Sequence, residues 1–119
     1  MIIQIRRESA ITYVTVESKS IQFENVDSFL DELKAQLHSN DTLLAFDLTR
    51  VGFIDSRGLG SLLSLYKTRG PHGRLCVFNV ADNVRKVFVL TRTDKLIGIA
   101  ADAVAAQELL TAVQAPNIE

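Results

Sequence analysis

Apolar and polar positions alternate in blocks along the chain, and each block has its own period. Ile2–Arg6 and Thr12–Val16 are rich in β-branched residues and predict two short strands, joined through Arg7-Glu8-Ser9-Ala10-Ile11 as a hairpin. From Asn25 onward the apolar residues Val26, Phe29, Leu30, Leu33 and Leu37 recur at helical spacing, with Asn25 placed as N-cap and Ser39-Asn40 as the stop. Thr42–Leu48 is almost continuously apolar, the pattern of a central strand covered on both faces. Leu59, Leu62, Leu63 and Tyr66 return to helical spacing, and Thr68-Arg69-Gly70-Pro71 ends that helix. Arg74–Phe78 predicts a strand, Asp82–Leu90 a helix, Ile97–Ala101 a short strand, and Ala103–Val113 a closing helix before a frayed tail from Ala115 to Glu119. Such strand–helix alternation predicts one α/β domain over residues 1–114, a mixed but mostly parallel sheet of about five strands with about four helices.

Composition narrows the function classes. With 119 residues, 47% of them apolar, the chain can bury one core of its own. A net charge of −1, from 13 basic and 14 acidic residues, creates no long-range field toward nucleic acid or anionic membrane. The longest apolar stretches, such as Leu96–Ala101, are far below the ~20 residues that cross a bilayer. The opening apolar segment precedes Arg6-Arg7 rather than following it, the reverse of a secretory signal, so a cytoplasmic protein is expected. Cys76, the single cysteine, has apolar neighbours that predict an inert buried thiol. His38 and His72 stand alone, and no metal set or cofactor is expected.

The chemistry concentrates between Val51 and Gly60, where an apolar strand end turns through Asp55-Ser56 into a helix start. The first N–H groups of a helix lack intrahelical partners and the helix dipole is positive there, so a serine at this point is either a cap or a tolerated carrier of phosphate. Asp55 is adjacent to Ser56 with no histidine accompanying them, which argues against a hydrolase triad and for a turn-organising role. Gly58 and Gly60 lack the spacing of a phosphate-binding loop and point to close helix packing or to the approach of a partner backbone. Arg85-Lys86 reads as a solvated helix face, and Ser61 and Ser64 as helix-surface or packing residues.

Phe53-Ile54-Asp55-Ser56-Arg57-Gly58-Leu59-Gly60 resembles the Asp-Ser-[Ser/Thr]-Gly-Leu motif of STAS domains, specifically of anti-sigma factor antagonists. Val84–Thr91 is similar to that family's third helix and Lys95-Leu96 to the start of its last strand. The resemblance implies phosphorylation of Ser56 and a partner surface made of Asp55, Arg57, Gly58, Leu59 and Gly60 together with Ser18, Ser20 and Gln22. It further implies a non-enzymatic switch: the unphosphorylated chain binds an anti-sigma factor that is also a serine kinase with an ATP-binding domain, and a serine phosphatase resets it. ATP would belong to the kinase. The chain departs from the family pattern at Arg57, usually serine or threonine, at Arg92, usually glycine, and in the loop Glu17–Phe23, commonly Gly-Glu-Leu-Asp. These departures keep open the alternative of a constitutive STAS subunit docked on the ATPase of a phospholipid ABC transporter.

Overall fold

Strand alternation divides the apolar residues between two faces of one sheet, and the helices cover those faces unequally. The computed structural model describes residues 2–112. Its main sheet runs β1 (Ile3–Glu8), β2 (Ile11–Val16), β4 (Leu43–Asp47), β6 (Arg74–Phe78) and β7 (Gly98–Ala100), in that spatial order. β1 and β2 are antiparallel, and every other neighbouring pair is parallel. β3 (Ser20–Ile21) and β5 (Phe53–Ile54) form a separate parallel ribbon. The helices are α1 (Val26–Gln36), α2 (Ser56–Lys67), α3 (Asp82–Leu90) and α4 (Ala103–Thr111), with a single 3-10 turn at Thr93–Lys95.

Val14, Leu44, Phe46, Leu75 and Val77 point to the face packed by Phe29 and Leu33 of α1, Leu62 of α2 and Phe88 of α3. The intervening residues Tyr13, Ala45, Cys76 and Phe78 point the other way, onto Ala106 and Leu110 of α4. This two-residue alternation is what a pleated strand imposes. Cys76 is fully buried on the α4 side, and burial pushes its thiol pKa up to about 12, as the apolar neighbours led one to expect.

β6 and α3 span the residues read from the pattern, while other boundaries move. The hairpin loop shrinks from Arg7–Ile11 to Ser9-Ala10, because Arg7 pairs with Thr12 and Glu8 with Ile11. Both turn residues have positive φ, 53° and 68°, the backbone that matches strand twist in a two-residue hairpin. Asn25 occupies the N-cap position without capping: its side chain accepts from the Gln22 N–H and donates to the Ser20 carbonyl, organising the loop behind it. Helix α1 ends at Gln36, before the expected Ser39-Asn40 stop, and His38 lies beyond it in the connection to β4. The Val51–Ile54 segment is not the end of a main-sheet strand, since its paired part is β5 in the ribbon. Val113 and the tail from Ala115 to Glu119 lie outside the described residues.

A polar latch that the pattern does not reveal closes the edge of the fold. Asp41, 8% exposed, accepts both Nε and Nη2 of Arg7 at 2.9 and 2.7 Å, the Thr12 hydroxyl at 2.8 Å and the His38 N–H at 2.7 Å. Arg69 donates to the Asp41 carbonyl, which brings the end of α2 to the same point. The Arg7 guanidinium and these hydrogen bonds hold the Asp41 carboxyl far below the usual carboxylate range.

Candidate functional site

The ribbon β3–β5 fixes the start of α2. Its short ladder is extended on either side by Gly52 N–H to Lys19 carbonyl, 2.8 Å, and Asp55 N–H to Ile21 carbonyl, 3.3 Å. Asn83 of α3 adds a bond to the Gly52 carbonyl at 2.6 Å, steadying the approach to β5. The loop carrying Ser18, Ser20 and Gln22 is therefore held alongside the segment that leads into Ser56. Ser18 donates its hydroxyl to the Ser20 carbonyl, and the Gln22 amide donates to the Ser20 hydroxyl.

Asp55 is the N-cap of α2, and Ser56 is the first helical residue. Of the two roles open to Ser56, capping thus passes to its neighbour. One Asp55 carboxylate oxygen accepts the Gly58 N–H at 2.9 Å and the other accepts the Phe23 N–H at 3.0 Å. These two bonds, Gly58 first, hold the Asp55 pKa below its ordinary value, with Arg57 assisting. Asp55 consequently ties the helix start to the loop before α1, which matches its expected turn-organising part. Each of its oxygens is engaged with a backbone amide.

Ser56 is exposed, and so is Arg57. The Arg57 guanidinium lies 4.8 Å from the centre of the Phe23 ring, a cation–π stack. Phe23 is 64% exposed and Phe53, three residues before Ser56, is 50% exposed. Two large apolar rings therefore stand in water beside the serine, where an isolated fold gains nothing from them. Neither ring stands out in the hydrophobic pattern, although an aromatic within a polar loop, as at Gln22-Phe23-Glu24, is the signal that marks such a residue.

The glycines of the motif part company. A Cβ on Gly58 would stand 2.0 Å from the Ile21 carbonyl oxygen, so Gly58 is required by the close approach of the ribbon and is buried under it. It does not form part of an exposed contact surface. A Cβ on Gly60 would meet nothing within 4 Å, leaving a notch in the helix surface. Leu59 is buried in the core, and Ser61 is buried with its hydroxyl on the Gly58 carbonyl at 2.6 Å. Of the expected partner-binding residues around the helix start, Arg57 is thus exposed and Gly60 half-buried, while Gly58 and Leu59 serve packing. His38 and His72 line different grooves, and among the described residues no three His, Cys, Asp or Glu side chains gather as a metal-ligand set.

Comparison with known proteins places this geometry. The family model described as "STAS domain" matches residues 3–106. An anti-sigma factor antagonist from Mycobacterium paratuberculosis superposes with a TM-score of 0.78 at 22% identity, over 91% of this chain and 92% of that one. SpoIIAA, an anti-sigma factor antagonist in its unphosphorylated form, superposes at 0.68 with 17% identity, over 93% of this chain and 99% of that one. The Bacillus cell fate determinant SpoIIAA in its phosphorylated form gives 0.65 and 17%, over 90% and 98%. At these identities the likeness is one of fold. No curated protein matches the chain at a significant level. Among the described residues no helix is long and apolar enough to cross a membrane.

Proposed function

Because the chain belongs to the STAS domain family, whose model spans residues 3–106, we propose that it is an anti-sigma factor antagonist whose binding is switched by phosphorylation of Ser56. The observation that carries this is the exposed Ser56 hydroxyl on the first turn of α2, beside the water-exposed rings of Phe23 and Phe53. Unphosphorylated, this surface binds an anti-sigma factor that is also an ATP-dependent serine kinase. The apolar rings supply contact area, and Arg57, stacked on Phe23, supplies the charge at its edge.

Phosphorylation adds about −1.5 to −2 charges and three acceptor oxygens at the centre of that surface. A hundredfold loss of affinity needs only about 2.8 kcal/mol, within the ~2–5 kcal/mol that one mispaired interfacial charge costs. The start of α2 tolerates the phosphate because the adjacent helix dipole is positive, so the modification changes binding and leaves the fold intact. A serine phosphatase restores the binding form. The chain itself performs no chemistry and binds no nucleotide; ATP is the kinase's.

Affinity capture from native lysate with wild type, Ser56→Ala and Ser56→Asp baits tests the proposal. A serine kinase with an ATP-binding domain is expected on the first two and lost from Ser56→Asp. Retention of a transporter ATPase on all three baits would replace the switch with constitutive docking.

A further inference from the structure

A second surface lies between α1 and α2, with its wide end at the opposite end of α2 from the Ser56 turn. A half-open groove of about 510 Å³ runs there with a floor of Leu30, Leu33, Leu37 and Leu65. That volume falls within the ~300–1,000 Å³ of small-molecule sites, and a mainly apolar lining with few polar groups is their usual make-up. A smaller cavity of about 210 Å³ continues from it along the helices, sharing Leu30 and Ser64, and is floored by the Gly60 notch. The two cavities share a wall; no acidic side chain lines the wide one, while Asp27 and Arg57 both line the narrow one.

The polarity of the wide end is set by which groups are already paired. Both helices end there, and their last carbonyls would ordinarily repel an anion. Several are taken: the Gln36 carbonyl by Arg7, and the Leu65 carbonyl by the Thr68 hydroxyl. Arg69 donates to the carbonyls of His38 and Asp41, which anchors its guanidinium at the rim without a carboxylate partner. The ion pairs among the described residues are Arg6–Glu8, Arg7–Asp41 and Arg50–Glu17, so Lys34, also on the rim, is in none of them. Two uncompensated cations thus stand over an apolar floor.

We propose that this groove binds an apolar monocarboxylate of the fatty-acid class, its chain on the leucine floor and its carboxylate at Lys34 and Arg69. A neutral apolar ligand would leave the rim cations unused, and a polyphosphate would leave the leucines wet. The carboxylate end of the site, at the C-terminal ends of both helices, is separate from Ser56, whereas its narrow end reaches Arg57.

Decanoate titrated into the purified protein, followed by amide chemical shifts, tests this. Saturable one-to-one binding is expected, with Kd on the order of 100 μM, as ligand efficiency allows for a ligand of that size. Shifts should be confined to α1, α2 and the segments that follow them, Leu37–Ser39 and Thr68-Arg69. Decanol should bind at least tenfold more weakly, and so should decanoate to Lys34→Glu. Ser64→Phe, on an exposed helix position, should block the narrow part and also lower affinity. Absence of saturation below millimolar decanoate, equal binding of decanol, or an unchanged Kd in Lys34→Glu would each overturn the proposal.

Discussion

At the scale of single residues, Gly58 and Gly60 differ more than their shared motif suggests. Alanine at Gly58 must push its methyl against a backbone carbonyl that cannot turn aside, and overpacking of that kind costs about 2–3 kcal/mol. Alanine at Gly60 enters open space on a helix and should stabilise by about 0.5–1 kcal/mol through helix propensity alone. Urea unfolding of the two variants reads both signs, and equal effects would refute the close-approach explanation. Arg92 shows the converse case. Its φ of 61° is the left-handed conformation that glycine adopts freely, which gives a physical reason for the glycine that the resemblance led one to expect there. Sequence spacing had no means of showing a dihedral angle, or the carbonyl waiting over Gly58.

Elements raise a different question, because α2 starts where two loops and a ribbon meet. Asp55 serves the helix and the loop before α1 with one carboxylate, so its removal should loosen both at once. In Asp55→Ala, amide hydrogen exchange at Gly58 and at Phe23 should speed up together, while amides in the centre of α1 and α2 remain protected. Faster exchange at Gly58 alone would mean that the Phe23 loop is held by something else. Much of this element scale was legible. Leu59, Leu62 and Tyr66 mark α2 by their spacing, and the Asp-Ser pair marks its start. The ribbon was not legible, since strands of two residues, Ser20-Ile21 and Phe53-Ile54, are too short to show alternation. Nor was the hairpin turn, where Ser9-Ala10 adopt positive φ without the asparagine or glycine that usually announces it. Asn25 braces the loop instead of capping α1, a distinction its residue type does not carry, since asparagine suits both roles.

For the whole molecule, the layer order follows from the apolar pattern, whereas the Arg7–Asp41–Thr12 latch joins residues far apart in sequence and leaves no periodic trace. Its stability has a pH signature. The Asp41 carboxyl has its pKa lowered on folding, so its contribution is present above the unfolded value of about 4 and drains away as pH falls further. Asp41→Asn should cost about 2–4 kcal/mol at pH 7, and the gap between variant and wild type should narrow below pH ~4. Urea denaturation across pH 2–8 checks this, and a pH-independent gap would show that the charge does not matter. The raised Cys76 pKa acts at the other extreme: stability is full below the unfolded thiol value, ~8.5, and declines as pH rises toward about 12.

The sheet order carries one further consequence, for the time the chain takes to fold. Only β1 and β2 are joined by a tight turn; β2–β4, β4–β6 and β6–β7 are parallel and can pair only after an intervening helical segment has been looped back. The hairpin can form on the microsecond scale, but the closures that follow bring together distant parts of the chain before any core rewards them. Refolding should therefore run in milliseconds or longer, with the Ser9-Ala10 turn organised early and the parallel pairings of β2–β4 and β4–β6 setting the pace.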